Sequence, residues 1–468
     1  MKITYQYILF ILSLFFVTSC EKSLSELNEN KTSAVAIDPV FQLNNAIVNV
    51  SFPSGTTLNY EMSIVQQLVT PNSGVLTGGN FNQDNRDNTQ ALWQNYYRNV
   101  IRNTRDIISK TKTLPGRSNL MNMARILQAY AFMVLTDTYG NIPYTEAGLG
   151  YIDQVFLPKY DNQQDIYPKL ITEFTEASAA LNASNPTEAG EALYGGNIGQ
   201  WKKFGYSLLL RAGMRLSKVD AAKGQSAVQA AVAGGVILSN ADNAYFRTTN
   251  DYQANLSVTL NSTEAANYYL AEPFVNFLKN TNDPRLSSIA IRYVGAKSGP
   301  DQVPAVGTTD PAKQIGMPMG YDNASIASAV AARGLVSFYE FSQLDRRRMA
   351  KLTAPVFFVT AGQTNLLLAE AAQRGWITAG TAADYFKAGV RAHMEQLAAY
   401  DAGSAVAPSA IAEYIAANPL DASKALEQIN TQYWVASLLN GPEVWANFRR
   451  SGYPALTPNP YPGKTISG

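Results

Sequence analysis

Side chains that carry chemistry are scarce in this chain, which has one cysteine, Cys20, and one histidine, His393, among its 468 residues. A single thiol excludes an intrachain disulfide and a zinc site built on cysteines. Any Ser-His-Asp relay would have to use His393. That residue lies in Ala388-Gly389-Val390-Arg391-Ala392-His393-Met394-Glu395, which reads as the middle of a helix, so a helical side chain, packed or solvated, is the expected role. Charge is also in short supply, at 16% of residues against roughly 25% in an average soluble protein. The 37 Lys and Arg nearly balance the 36 Asp and Glu, so no basic surface offers itself to nucleic acid. Neither Gly78-Gly79 nor Gly195-Gly196 leads into Gly-Lys-Ser/Thr, which removes a phosphate-binding loop. Paired-carboxylate hydrolysis needs no histidine, but no pair of acids stands out. These absences prune cysteine and histidine chemistry, point to no cofactor and no metal, and leave a glycosidase formally open.

Neutral amides and rings take the place of charge, with 26 Tyr, 19 Phe and 5 Trp beside 32 Gly. Such a surface suits neutral polyhydroxylated or peptidic ligands better than phosphates. The apolar run from Ile8 to Val17, interrupted by Ser13, falls well short of the roughly 20 residues that cross a bilayer. Lys2 precedes it, and Val17-Thr18-Ser19-Cys20 closes it with small residues. This is the pattern of a signal peptide over residues 1–19 ending in a lipobox, with Cys20 acylated as the first mature residue. At about 0.8 kcal/mol per buried methylene, one acyl chain holds a protein marginally and two or more hold it stably. Residues 20–35 are polar enough to serve as the lipidated tether.

Beyond the tether a helical rhythm dominates. Leu92-Trp93, Tyr96-Tyr97, Val100-Ile101 and Thr104 recur at three and four residues, as do Ile126-Leu127, Tyr130, Met133-Val134 and Thr138. Gly140 and Pro143 then stop that second helix. Further amphipathic runs cover about 164–181, 200–217, 222–233, 264–279, 361–374, 380–399 and 422–440, and Ile289 to Val294 is strand-like. Leu366 to Ala371, Gly375, and the helix carrying Tyr385, Phe386 and Ala388 suit a tetratricopeptide-type pair. The expected fold is mainly α, with tetratricopeptide-like helical hairpins and an irregular, loop-rich half. As one domain over 36–468 it would have a helical scaffold at about 36–235 and 361–450 and the irregular region at about 236–360.

The five tryptophans fall in or beside helices and are expected to fill core gaps, and Asp345-Arg346-Arg347-Arg348 reads as a solvated charge run. Asn80, Asn82, Asp84 and Asn88 alternate as in a calcium loop, without the glycine and terminal glutamate that such a loop requires. Arg449 and Arg450 stand among Trp445, Phe448 and Tyr453. Stacking and ion pairing that fix the chain end are expected there, with a phosphate or carboxylate site as the functional alternative.

Four pieces, taken in order, carry a family resemblance: the lipobox followed by Glu21-Lys22; Ala124 to Tyr130 running into Asp137-Thr138-Tyr139-Gly140-Asn141-Ile142-Pro143-Tyr144; Leu366 to Ala372; and Gln432-Tyr433-Trp434 through Glu443-Val444-Trp445-Ala446-Asn447-Phe448-Arg449-Arg450-Ser451-Gly452-Tyr453-Pro454. Together they resemble the SusD/RagB family of outer-membrane nutrient-binding lipoproteins, in its SusD-like branch. The resemblance implies a non-catalytic surface lipoprotein, anchored in the outer membrane and facing the exterior. It would capture oligosaccharides, or in some members peptides, and deliver them to a SusC-type TonB-dependent transporter. The rival readings are a tetratricopeptide-like outer-membrane scaffold without a small ligand and a helical glycoside hydrolase.

Rings in regular helices are claimed by the core, so ligand-binding candidates come from the irregular stretches: Phe81, Tyr252 and Tyr321, with Asn82, Asp84 and Asn255 as polar partners. Phe338, Tyr339 and Phe341 are next in line. The anchor is tested by feeding cells a clickable fatty acid. Wild type should label and Cys20→Ser should not, and equal labelling of both would remove the lipobox reading.

Overall fold

The computed structural model describes residues 37–72 and 86–459. Cys20, Phe81, Asn82 and Asp84 lie outside the described residues. The apolar periodicity produces helices Pro39–Asn49, Ser118–Tyr139, Gln163–Ala180, Ile198–Arg215 and Ala221–Gly234. Another, over residues 86–111, has a π-helical middle at Tyr96–Ile101. After residue 360 come Ala361–Gln373, Ala382–Gln396, Pro408–Ala417, Ala425–Ala436 and Gly441–Ser451. Helix 118–139 is buried on almost every side through residues such as Leu120, Met123, Leu127, Tyr130 and Phe132, as an all-round apolar helix must be. It ends at Gly140, whose φ of +80° suits glycine.

Consecutive helices pack as hairpins, and glycine lets them approach. A Cβ on Gly213 would lie 2.9 Å from the carbonyl oxygen of Gly224, and one on Gly224 would lie 2.7 Å from that of Gly213. Helices 361–373 and 382–396 meet likewise at Gly362 and Gly389, where an added Cβ would be 3.3 and 3.1 Å from the facing carbonyl oxygen. Tyr130, Phe174, Trp201, Phe204 and Leu366 share one large apolar core. A second cluster joins Leu58, Met62, Phe274 and Leu344 to Trp434 and Val444 of the C-terminal helices.

Between residues 235 and 360 the elements are short. Ala290–Tyr293 is the middle strand between Gly307–Thr308 and Gln343–Leu344, Ala244–Phe246 pairs with Val356–Val359, and Leu68–Val69 reaches in to pair with Tyr269–Leu270. Among the described residues no strand exceeds four residues and no helix is long and apolar enough to cross a membrane. The protein is mainly α.

Three expectations need correction. The helix expected over 264–279 begins only at Glu272. Pro273 sits in its first turn and has no N–H to continue a helix from upstream, while Tyr269–Leu270 is taken by the strand pair. The run at 422–440 is helical only over Ala425–Ala436, and Leu439 adopts a φ of +70° before the next helix starts at Gly441. The charge run is not solvated. Asp345 is buried and accepts from Arg348 Nε, Arg348 also donates to the carbonyls of Ser287 and Gly403, and Arg347 alone is exposed. Of the tryptophans, Trp201, Trp376 and Trp434 are buried, whereas Trp93 and Trp445 sit at the core edge.

Buried polar groups are mostly satisfied in sets. Glu370 accepts from Arg450 at 2.7 Å and Arg374 at 2.8 Å. Burial alone would raise its pKa, but the two guanidiniums and Asn430 outweigh that and hold it at about 2. His393 is buried, with Nδ1 accepting from Arg285 Nη1 at 3.0 Å. Burial, reinforced by that cation, pushes its pKa well down, so it stays neutral.

Glu61 is the buried carboxylate that lacks such a set. Its Oε2 accepts from Thr57 Oγ1 at 3.2 Å, and its Oε1 is buried without a partner. Burial raises its pKa to about 8, against the small opposing effect of Thr57. A raised carboxyl pKa makes the folded state the tighter proton binder, so stability is full below pH 4.5 and falls as pH rises toward 8. Glu61→Gln cannot ionise. In urea melts its advantage over wild type should therefore grow by roughly 2 kcal/mol or more between pH 5 and pH 9, since each tenfold change in proton affinity is worth about 1.4 kcal/mol. A difference that stays constant with pH would contradict this.

Candidate functional site

Two patches of the irregular half carry the candidates, one at the Asn72 end of the polar stretch and one at the Asn88 end. At the first end, Leu68–Val69 is hydrogen-bonded to Tyr269–Leu270. Asn72 Nδ2 donates to Asn267 Oδ1 at 3.2 Å, and Asn267 Nδ2 donates to Glu264 Oε2 at 2.7 Å. Tyr269 meets Phe338 edge to face at 6.1 Å, and Phe338 stacks on Tyr339 at 4.2 Å. Tyr321 is half-buried against the same cluster, which holds Val69, Tyr269, Met317 and Phe341. Half-buried rings beside a chain of amides and one carboxylate can cover the apolar face of a sugar or peptide and satisfy its hydroxyls or amides.

At the second end, the Asn88 carbonyl accepts from Thr56 Oγ1 at 2.6 Å, and Thr259 Oγ1 donates to Ser54 Oγ at 2.9 Å. Helix Asn255–Asn261 therefore lies beside this end, with Asn255 exposed at its first turn. Tyr252 is 61% exposed on the preceding loop, where its N–H donates to Thr249 Oγ1 at 3.2 Å and its carbonyl accepts from Thr249 N at 3.1 Å. Among the described residues no ring contact reaches Tyr252. Beside Asn255 a cavity of about 30 Å³, walled by Phe52, Phe357 and Tyr400, is the size of a water site.

The structure thus places Tyr321, Phe338 and Tyr339 in the first patch and Asn255 beside the second. No described contact joins Tyr252 to Tyr321. Phe341 is removed from candidacy because it is wholly buried in the cluster under Tyr321. Glu264 and Asn267 were missed because 264–279 read as helix. Pro273 was the signal that the helix starts later, leaving those side chains on a turn. Also missed were Tyr151, Phe156 and Tyr160, exposed at 90%, 76% and 65%, of which Tyr160 stacks on Trp93 at 5.9 Å. A larger concavity, of about 550 Å³, opens elsewhere, among the ends of the helices. Among the described residues no group of three or more His, Cys, Asp or Glu could hold a metal.

A family model described as SusD-like, starch-binding and associating with the outer membrane matches residues 29–467. Among curated proteins no relative matches. Of the solved structures, one titled a chitin-binding protein is 31% identical at a TM-score of 0.77, covering 90% of this chain and 88% of its own. A SusD-like protein of Bacteroidetes AC2a is 27% identical at 0.75, covering 90% of each chain. A chitin-binding SusD homolog from Flavobacterium johnsoniae is 23% identical at 0.71, covering 91% and 88%, a likeness of fold. With a family model matched over nearly its whole length, this chain belongs to the SusD-like family.

Proposed function

We propose that this protein is a non-catalytic nutrient-binding lipoprotein. It is tethered through Cys20 to the outer membrane, on the exterior face, and hands captured oligosaccharides to a SusC-type TonB-dependent transporter. The observation that carries the glycan reading is the 31% identical structure titled a chitin-binding protein, aligned over 90% of this chain. Chitin oligosaccharides are accordingly the first ligands to try, with starch oligosaccharides next because the family description names starch. The only histidine, His393, is buried with Nδ1 on Arg285 Nη1, away from solvent, which agrees with binding without a histidine relay. The ligand face is proposed to comprise Tyr252, Asn255 and Tyr321 with Phe81, Asn82 and Asp84. The exposed Tyr252 and half-buried Tyr321 would stack on sugar rings, and the amides would meet hydroxyls.

A buried ring anchor contributes about 2 kcal/mol, or roughly thirtyfold in affinity. In calorimetry with chitin oligosaccharides, Tyr252→Ala, Tyr321→Ala or Phe81→Ala should weaken binding by up to that factor at unchanged melting temperature. If all three bind like wild type, the face lies elsewhere, with the exposed rings around Tyr160 the next place to look. Detergent-solubilised outer membranes should also yield the protein together with a large TonB-dependent barrel. Recovery as a free monomer in several mild detergents would favour the scaffold reading.

A further inference from the structure

The cavity of about 550 Å³ lies in the helical scaffold, within the range of small-ligand pockets, roughly 300 to 1,000 Å³. It is walled where helices 118–139, 163–180, 198–215, 221–234 and 441–451 end or begin. Four cations line it, Arg215, Lys223, Arg449 and Arg450, against two carboxylates, Asp137 and Asp220. The N-terminal turns of helices 163–180 and 221–234 add positive dipole ends.

Most of this charge is neutralised. Arg215 pairs with Asp137 at 3.1 Å and with Glu443 at 2.7 Å, Arg450 with Glu370 at 2.7 Å, and Lys223 with Asp220 at 3.0 Å. Arg449 differs. Its Nη1 donates to the backbone carbonyl of Asp137 at 2.6 Å and its guanidinium lies 5.3 Å from the Trp445 ring, but no carboxylate meets it among the described residues. Arg215, in the wall, is only 5% exposed, and its Nη1 is buried without an acceptor. A buried N–H left unpaired is costly. Pro168, Leu216 and Val219 supply apolar wall.

We propose that this cavity binds a small monocarboxylate, its charge on Arg449 at the mouth and its body on Pro168 and Val219. A guanidinium fork matches carboxylate geometry, and one unneutralised cation calls for one negative charge. Phosphate carries more negative charge than the single unpaired guanidinium of Arg449 can neutralise. The carboxylate could come from a sugar acid or from a peptide or amino acid. This site is separate from the proposed glycan face, so chitin oligosaccharide binding should persist when it is disabled.

The test is calorimetry at low and high salt with D-glucuronate and N-acetyl-L-leucine, with D-glucose and inorganic phosphate as controls. At least one carboxylate should bind more weakly in salt, glucose should not bind, and the carboxylate that binds tells the source. Arg449→Gln should lose about tenfold or more, the scale of one hydrogen bond to a charged group, and Arg449→Lys should recover part of it. Arg449 is exposed, so the fold should survive. Val219→Glu, at a position 79% exposed, gives a second route by placing a like charge at the mouth, with the same expected loss. The proposal is overturned if neither carboxylate binds at millimolar concentration, if phosphate binds more tightly than both, or if both variants bind like wild type.

Discussion

The structure turns on one buried carboxylate, Glu443, in the first turn of helix 441–451. It accepts from Arg211 at 3.1 Å, from Arg215 at 2.7 Å and from Tyr433 Oη at 2.6 Å. Burial would raise its pKa, but Arg211 and Arg215 prevail and keep it ionised. Arg215 passes the link to Asp137 at the end of helix 118–139, whose carboxylate also takes the Tyr167 hydroxyl from helix 163–180. Five helices thus share one charge network. Removing one member would strand a buried charge, so these helices hold their mutual position more strictly than apolar packing alone requires.

That fixed position is transmitted to the irregular half through the C-terminal helices. Trp434, one residue from Tyr433, packs on Phe274 at 5.0 Å and donates through Nε1 to the Val65 carbonyl at 2.9 Å. The Trp434 carbonyl in turn accepts from Gln67 at 2.6 Å. The next residues, Leu68–Val69, form the strand that pairs with Tyr269–Leu270 and leads to Asn72. The rings and amides of the candidate ligand face therefore stand on a chain of hydrogen bonds rooted in the helical core. A short loop segment held this way loses less entropy when a ligand orders it.

The same network gives adjacent arginines opposite roles. Arg450 turns inward and is consumed by Glu370, Asn430 and Asn447. Arg449, one residue earlier on the helix, points to the other side of the turn, stacks on Trp445 and meets the cavity. The successive arginines in the sequence are one structural anchor and one solvent-facing cation, because adjacent helical positions are rotated by about 100°.

Long amphipathic runs were legible in the sequence because their apolar spacing is a local property. Helices 163–180, 198–215, 221–234 and 361–373 lie close to where periodicity placed them, Gly140 and Pro143 end the helix that they mark, and the neutral, ring-rich composition already pointed to binding. The sequence alone also excluded an intrachain disulfide, since it has one cysteine, and showed a nearly balanced charge. Tertiary structure decided what depends on distant partners. The strand at Tyr269–Leu270 exists because Leu68–Val69, two hundred residues away in the chain, supplies its hydrogen bonds. Phe341 and Tyr321 look alike as loop aromatics, yet one is sealed in the cluster and the other lies at its edge. Asp345 and Arg348 read as solvated until the fold buries the carboxylate against Arg348 and brings the carbonyls of Ser287 and Gly403 to that guanidinium. Backbone periodicity is encoded within one helical turn, whereas burial, charge pairing and cavity walls are properties of segments that meet only after folding.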